Sequence, residues 1–317
     1  MKLVFCGTPK FAVPTLEALL AAGHQIPLVV SQPDRPVGRA QELTPPPVKQ
    51  VALSAGIPVA QPDKIRNNTE FRSQLEAIAP DAIVVVAYGR IIPPWMLALP
   101  RLGCINLHAS LLPKYRGAAP IQWAVANGET ITGNTTMLLE EGLDTGPILQ
   151  QQAYAIRPHE SAADLFEELA MMGAPLMVET LERLESGTIL PHPQDHANAT
   201  LAPILQRDDG RMDFASRTAT DLHNRWRGFQ PWPGAFTTFN GKKLIVHRMT
   251  VVHPAQLAQP STAPGHVLAR DGRLFVACAD NTWLEFEEVQ LEGKKRVSAA
   301  EFLRGHQPAA PGQMRLG

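Results

Sequence analysis

Residues Gly103–Pro120 read GCINLHASLLPKYRGAAP. The stretch opens on a short apolar strand, Cys104-Ile105-Asn106-Leu107-His108. Side chains alternate across a strand, so Asn106 and His108 leave the same face. An amide and an imidazole thus stand together near the carboxyl end of a strand, where open α/β sheets bind their ligands. Pro113, Gly117 and Pro120 shape an irregular turn before a helix, with Lys114 and Arg116 inside it. A second polar cluster, Glu140–Gly146 (EEGLDTG), sets Asp144 in a Gly-rich turn between two strand-like runs. Taken singly, each residue has a plain reading: a hydrogen-bonded structural His, a turn Asn, an Asp that caps. Taken together, they suit acyl transfer to an amine. The Asn donates to a developing oxyanion, the His moves a proton or adds a donor, and the Asp orients the His.

These segments resemble the folate-dependent formyltransferases. The resemblance rests on Asn106-Leu107-His108, Ser110-Leu111-Leu112-Pro113, Arg116-Gly117 and Gly142-Leu143-Asp144-Thr145-Gly146. It implies Asn106, His108 and Asp144 as the catalytic trio and 10-formyltetrahydrofolate as formyl donor. It also implies folate contacts at Ser110, Leu111, Leu112 and Pro113, and at Ala87, Tyr88 and Gly89, where backbone groups would meet the flat pterin.

The chain has 317 residues, which suggests two domains. Hydrophobic content of 44% against 19% charge supports a sizeable globular core. Cys6, Cys104 and Cys278 are odd in number and far apart, and read as buried thiols in a reducing compartment. No apolar run is long enough to span a bilayer, and Met1–Phe5 enters a strand with no room for a signal peptide, so the expected location is the cytoplasm. Net charge is −1. From Arg207 onward there are 15 Lys+Arg against 11 Asp+Glu, a balance that permits a nucleic-acid partner for the second half without requiring one.

The order of elements predicts a Rossmann-like α/β domain with a mostly parallel sheet over residues 1–189. Leu3–Cys6 is a buried strand, Phe11–Ala22 a helix and Ile26–Ser31 the next strand. GxGxxG is absent, which argues against a nicotinamide or flavin enzyme. Gln32–Pro47 is a long loop. A helix over Val48–Ala55, a strand at Ile57–Ala60, a helix over Thr69–Ala79 and a central strand from Asp81 follow. Thr132–Leu139 and Ile148–Ile156 are expected to pair around Asp144, and Ser161–Leu184 is the longest helix. Residues 190–206 are Pro-rich and aperiodic and read as a linker. His192 and His196 lie four apart, but Pro191 and Pro193 oppose a helix, so no metal site is expected.

Residues 207–317 are expected to form a small OB-like β-barrel, with a helix over Asp221–Phe229 and hairpins turning at Asn240-Gly241 and Asp271-Gly272. Lys242, Lys243, Lys294, Lys295 and Arg296, with Arg248, supply a candidate basic face. Gln32-Pro33-Asp34-Arg35-Pro36, Gly38-Arg39, Phe229–Ala235 and Gly293-Lys294-Lys295 resemble the tRNA-contacting parts of methionyl-tRNA formyltransferases. That resemblance implies methionyl initiator tRNA as acceptor. It implies tRNA contacts at Arg35 and Arg39, the latter carrying more because Gln41-Glu42 stands where relatives often have Lys. A monomer is expected. The competing readings are a formyltransferase acting on an amino sugar or nucleotide, and a non-catalytic RNA- or folate-binding module, which would not need Asn106, His108 and Asp144 together.

Overall fold

The computed structural model describes residues 1–37, 42–253, 257, 262–306 and 314–317. The chain forms two compact units. The first comprises residues 1–121, 131–156 and 164–203, and the second comprises 122–130, 157–163 and 204–317.

The strands of the first unit are β1 (Lys2–Gly7), β2 (Gln25–Val30), β3 (Arg35–Val37), β4 (Glu42–Thr44), β5 (Val59–Ala60), β6 (Ala82–Val86), β7 (Cys104–His108), β8 (Arg116–Gly117), β9 (Ile131–Leu138), β10 (Ile148–Ala155) and β11 (Leu201–Ala202). Its main sheet has seven strands in the order β10-β9-β7-β6-β1-β2-β5. The run from β7 to β5 is parallel, whereas β9 is antiparallel to both β7 and β10. This is the expected mostly parallel α/β domain. The inner strands β6 and β7 are buried at every residue, which is why they read as unbroken apolar runs rather than alternating ones. Gly7 ends β1 as a packing residue: a Cβ there would lie 2.7 Å from Phe5 and 2.9 Å from Ala12. The helices α1 (Val13–Ala21), α2 (Pro47–Ser54) and α3 (Thr69–Ile78) fall where expected, α1 being preceded by a 3-10 turn at Lys10–Ala12, and a short α4 spans Pro94–Leu97. Asn68 caps α3 by accepting the Phe71 N–H. The helix α5 spans Pro120–Ala126 and α6 spans Ala162–Glu185.

Two expectations are revised. The stretch read as a long loop, 32–47, contains the β3–β4 hairpin. Its foot is held by Asp34, which accepts from Lys49 Nζ (2.8 Å) and from Gln61 Nε2 (2.7 Å). The Pro-rich stretch read as a linker is built into the first unit as far as Pro203. His192 bridges Ile148, residues 196–198 form a 3-10 turn capped by Asp195, and β11 pairs with β8. Prolines remove the helical period but leave side chains and edge carbonyls able to dock.

The second unit carries α7 (Ala219–Gly228), β12 (Phe236–Phe239), β13 (Lys242–Val252), β14 (Val267–Arg270), β15 (Arg273–Ala277), β16 (Trp283–Leu291), β17 (Arg296–Ser298) and α8 (Ala299–Gly305). The sheet is antiparallel in the order β12-β13-β16-β15-β14, with β17 on the later part of β16. The turns at 240–241 and 271–272 have positive φ at both central residues, the twist-matched geometry that Asn-Gly and Asp-Gly favour. The edges β12 and β14 are joined through the tail at 314–317. Val267 N–H donates to Met314 O, and Gly317 N–H donates to Thr238 O. Thr218/Asp221 and Ser298/Glu301 form capping boxes on α7 and α8.

His223 on α7 packs against Trp226 with the rings tilted by 39° and their centres 5.4 Å apart. Burial, then the Arg227 guanidinium, lower its imidazole to about 4. A lowered histidine stabilises the fold while it stays neutral. That contribution is complete above the unfolded-state value of about 6.5 and is lost as pH falls through about 4. His223→Phe keeps the ring and removes the titration. Urea titrations followed by tryptophan fluorescence should therefore show the wild type losing on the order of 2 kcal/mol relative to this variant between those limits, partial exposure having been discounted. Parallel pH dependences would refute it.

Candidate active site

The three polar residues of the central motifs converge at the carboxyl end of β7. Asn106 and His108 leave the same face and are 9% and 6% exposed. His108 Nε2 lies 2.9 Å from the Tyr115 carbonyl. A carbonyl only accepts, so Nε2 carries the hydrogen and Nδ1 is left as the basic nitrogen. Nδ1 faces Asp144 Oδ2 at 3.7 Å. The same oxygen accepts the Gly117 N–H at 2.8 Å. Asn106 makes no side-chain hydrogen bond among the described residues, so its amide is uncommitted beside the His–Asp pair. Asp144 sits at φ +50°, a left-handed conformation that Asp tolerates better than most side chains. Gly146, two residues on, is forced: a Cβ would lie 1.9 Å from the Leu138 carbonyl oxygen.

The loop after β7 is clamped by residues from the neighbouring strands. Thr135 on β9 donates to Ser110 O (2.6 Å) and accepts the Leu112 N–H (3.1 Å). Gln151 on β10 donates to Leu112 O (2.9 Å). Among the residues expected to touch folate, Ser110, Leu112 and Tyr88 are buried, and the Ser110 hydroxyl is spent on Lys114 O at 2.6 Å. The Tyr88 carbonyl accepts from Thr8 and Gln32. Ala87 and Gly89 are exposed at φ +45° and +77°, Leu111 and Pro113 are half-buried, and Ile91 beside them is 89% exposed. An exposed apolar residue beside a left-handed turn suits a flat ring.

Cys104 lies two residues below Asn106 and is no nucleophile: burial pushes its thiol up to about 12. Cys6 and Cys278 are likewise buried and free. Among the described residues no cluster of His, Cys, Asp or Glu has a metal-holding arrangement.

Thr135, Gln151, Gln194 and Thr200, which accepts the Tyr115 N–H at 2.8 Å, were not singled out in the sequence. Threonine and glutamine on strands or in Pro-rich runs carry no motif, and their roles appear only through contacts. Gln194 is the most connected, and it reaches both Arg116 and the Asp144 turn.

In the second unit, Glu292 N–H donates to Lys243 O at 2.9 Å, which sets the β12–β13 and β16–β17 turns side by side. Lys242, Lys294 and Lys295 are exposed there. Lys243 lies over the Phe236 ring at 3.8 Å, and burial, then Arg207, lower its ammonium. Arg296 and Arg248 are ion-paired with Glu288 and Glu287. A cleft of about 510 Å³ is lined by Arg211, Arg217, Arg225 and Arg315, with Asp208 and Asp213. Arg35 is exposed on β3, while Arg39 lies outside the described residues.

Comparison with known proteins places the chain in a family. Residues 1–181 match the Formyl transferase family, and residues 204–307 match its C-terminal domain. The methionyl-tRNA formyltransferase of Acidobacterium capsulatum is 65% identical over 317 residues, covering all of both chains. That of Koribacter versatilis is 56% identical over 97% of this chain and 96% of its own. Among solved structures, an N-formyltransferase from Helicobacter canadensis, in complex with folinic acid and dTDP-3-aminofucose, superposes with a TM-score of 0.66. It is 19% identical over 90% of this chain and 98% of its own, a likeness of fold. Near-complete coverage at such identity, over both domains, makes this chain a member of the methionyl-tRNA formyltransferase family.

Proposed function

We propose that the chain forms N-formylmethionyl initiator tRNA for translation initiation by passing a formyl group from 10-formyltetrahydrofolate to the methionyl α-amine through Asn106, His108 and Asp144. Formyl transfer to methionyl initiator tRNA is the activity of the family. The observation that carries the assignment of residues is the uncommitted Asn106 amide beside a His108–Asp144 pair whose free nitrogen is Nδ1.

Free α-amines titrate near about 8, and an ester withdraws electrons and lowers this, so the nucleophile is substantially neutral at pH 7. The amine attacks the formyl carbon and gives an oxyanion and an ammonium. The Asn106 amide donates to the oxyanion. The ammonium proton passes to His108 Nδ1, directly or through one water, and Asp144 stabilises the resulting imidazolium. Collapse breaks the bond from carbon to N10, and the imidazolium returns the proton to N10, so charge and protons balance. Ala87, Gly89, Leu111 and Pro113 line the folate, with Tyr88, Ser110 and Leu112 supporting them. No metal takes part. The enzyme works as a monomer and in the cytoplasm, the location being in keeping with its free buried thiols; among the described residues no helix is long and apolar enough to cross a membrane.

The test offers labelled 10-formyltetrahydrofolate with methionyl initiator tRNA, methionyl elongator tRNA and free methionine side by side. Label on initiator tRNA alone is expected. No transfer, with folate still bound, would redirect the reading to a sugar, nucleotide or hydrolytic reaction.

For tRNA contacts the lysine turns, Lys242, Lys243, Lys294 and Lys295, are the supported choice, with Arg35 and Arg39 of the first unit. Replacing Lys294 and Lys295 together by Ala should weaken tRNA binding and lower the slope of log K against log salt by about 1–2. Arg296→Ala should change it less, because Glu288 already neutralises that charge. Filter binding over a salt series measures both, and equal slopes in all three proteins would remove this surface from the interface.

A further inference from the structure

We propose that Gln194 is a positioning residue for the reaction, holding the Asp144 turn in place against His108; this rests on the role assigned to Asp144 above. Gln194 is 6% exposed. Its Nε2 donates to Asp144 O at 2.8 Å and to Gly146 O at 2.7 Å, the carbonyls on either side of Thr145. Its Oε1 accepts from Arg116 Nε at 3.1 Å and Nη2 at 2.6 Å. Both amide hydrogens and both oxygen lone pairs are therefore used.

Arg116 is itself buried, and its other Nη2 contact is His196 Nδ1 at 3.1 Å. It has no carboxylate partner among the described residues, so the Gln194 oxygen is a principal acceptor for a buried cation. The residue after Arg116 is Gly117, whose N–H binds the Asp144 carboxylate. Asp144 is thus gripped twice, by Gln194 at its main-chain carbonyl and by Gly117 at its side chain, with Arg116 joining the two. The pairing of Leu201 with Arg116 and Ala202 with Gly117 fixes this from behind. Left-handed backbone at a non-glycine residue is strained and persists only where the surroundings hold it. Gln194 is such a holder. Released from it, the turn relaxes and the carboxylate leaves its place 3.7 Å from His108 Nδ1. Misplacement of a reacting group by about 1 Å can cost on the order of a hundredfold in rate.

Two variants separate positioning from folding. Gln194→Met keeps length and loses every hydrogen bond. Gln194→Glu keeps the acceptor for Arg116 but faces the two carbonyls with oxygen, so it breaks only the grip on the turn. Both are expected to lower kcat on the order of 10- to 100-fold, with KM for each substrate within about threefold. In an Asp144→Asn background the same changes should have almost no further effect, because the group they position is already disabled. Single-turnover formylation with labelled donor measures all six proteins, and thermal melting confirms that they fold. If Gln194→Met does not fold, Gln194→Glu carries the test alone. Wild-type kcat in Gln194→Glu, or losses that multiply in the Asp144→Asn background, would overturn the proposal. Wild-type kcat in Asp144→Asn by itself would overturn the catalytic reading and this inference with it.

Discussion

Asn106→Ala is expected to lower kcat for formyl transfer on the order of 100- to 1000-fold while leaving folate binding and thermal stability close to wild type. The asymmetry follows from what Asn106 does in the unliganded protein. Its amide makes no hydrogen bond among the described residues, although the residue is only 9% exposed. Removing it strands no protein donor or acceptor, so the usual penalty for an orphaned buried partner does not arise. Fold stability is therefore nearly indifferent to this amide. The tetrahedral intermediate is not, because its oxyanion forms only after attack and needs a donor already in place. One lost oxyanion donor costs about 3–4 kcal/mol of transition-state stabilisation. Steady-state formylation of methionyl-tRNA, with equilibrium dialysis of the folate, measures both quantities. A kcat within fivefold of wild type would remove Asn106 from the chemistry. A matching loss of folate affinity would make it a binding residue instead.

How far the sequence reached depended on whether a signal was local. The β6 and β7 runs, the Asn240-Gly241 and Asp271-Gly272 turns, and the helix over 162–185 were legible because period, turn residues and length each act over a few positions. The shared face of Asn106 and His108 was legible because strand alternation is geometric. Three things were out of reach. The tautomer of His108 is set by the carbonyl of Tyr115, seven residues away in an irregular loop. The docking of residues 190–203 depends on single side chains such as Gln194 meeting carbonyls about fifty residues distant, and prolines masked it as a linker. Which basic residues of the second unit are free depended on Glu287 and Glu288 of β16, whose partners across the sheet no spacing rule names. Long-range polar pairing was thus invisible where apolar periodicity was plain, and the candidate site is made largely of long-range polar pairs.

Asp144→Asn is expected to lower kcat on the order of 1000-fold with KM for methionyl-tRNA and for folate nearly unchanged. With the Nε2 hydrogen committed to Tyr115 O, any proton taken up by His108 must land on Nδ1, facing Asp144 at 3.7 Å. The carboxylate thus stands opposite the nitrogen on which positive charge appears during proton transfer, and opposite charges at that distance attract. Asparagine is the informative replacement because its amide oxygen can still accept the Gly117 N–H and keep the turn. What it loses is charge. The loss should therefore fall on kcat and kcat/KM alike, the signature of an interaction made only in the transition state. Single-turnover transfer from labelled donor, with both substrates saturating, isolates that step. A rate within tenfold of wild type would mean that the amine proton leaves by another route and that Asp144 serves only to hold Gly117.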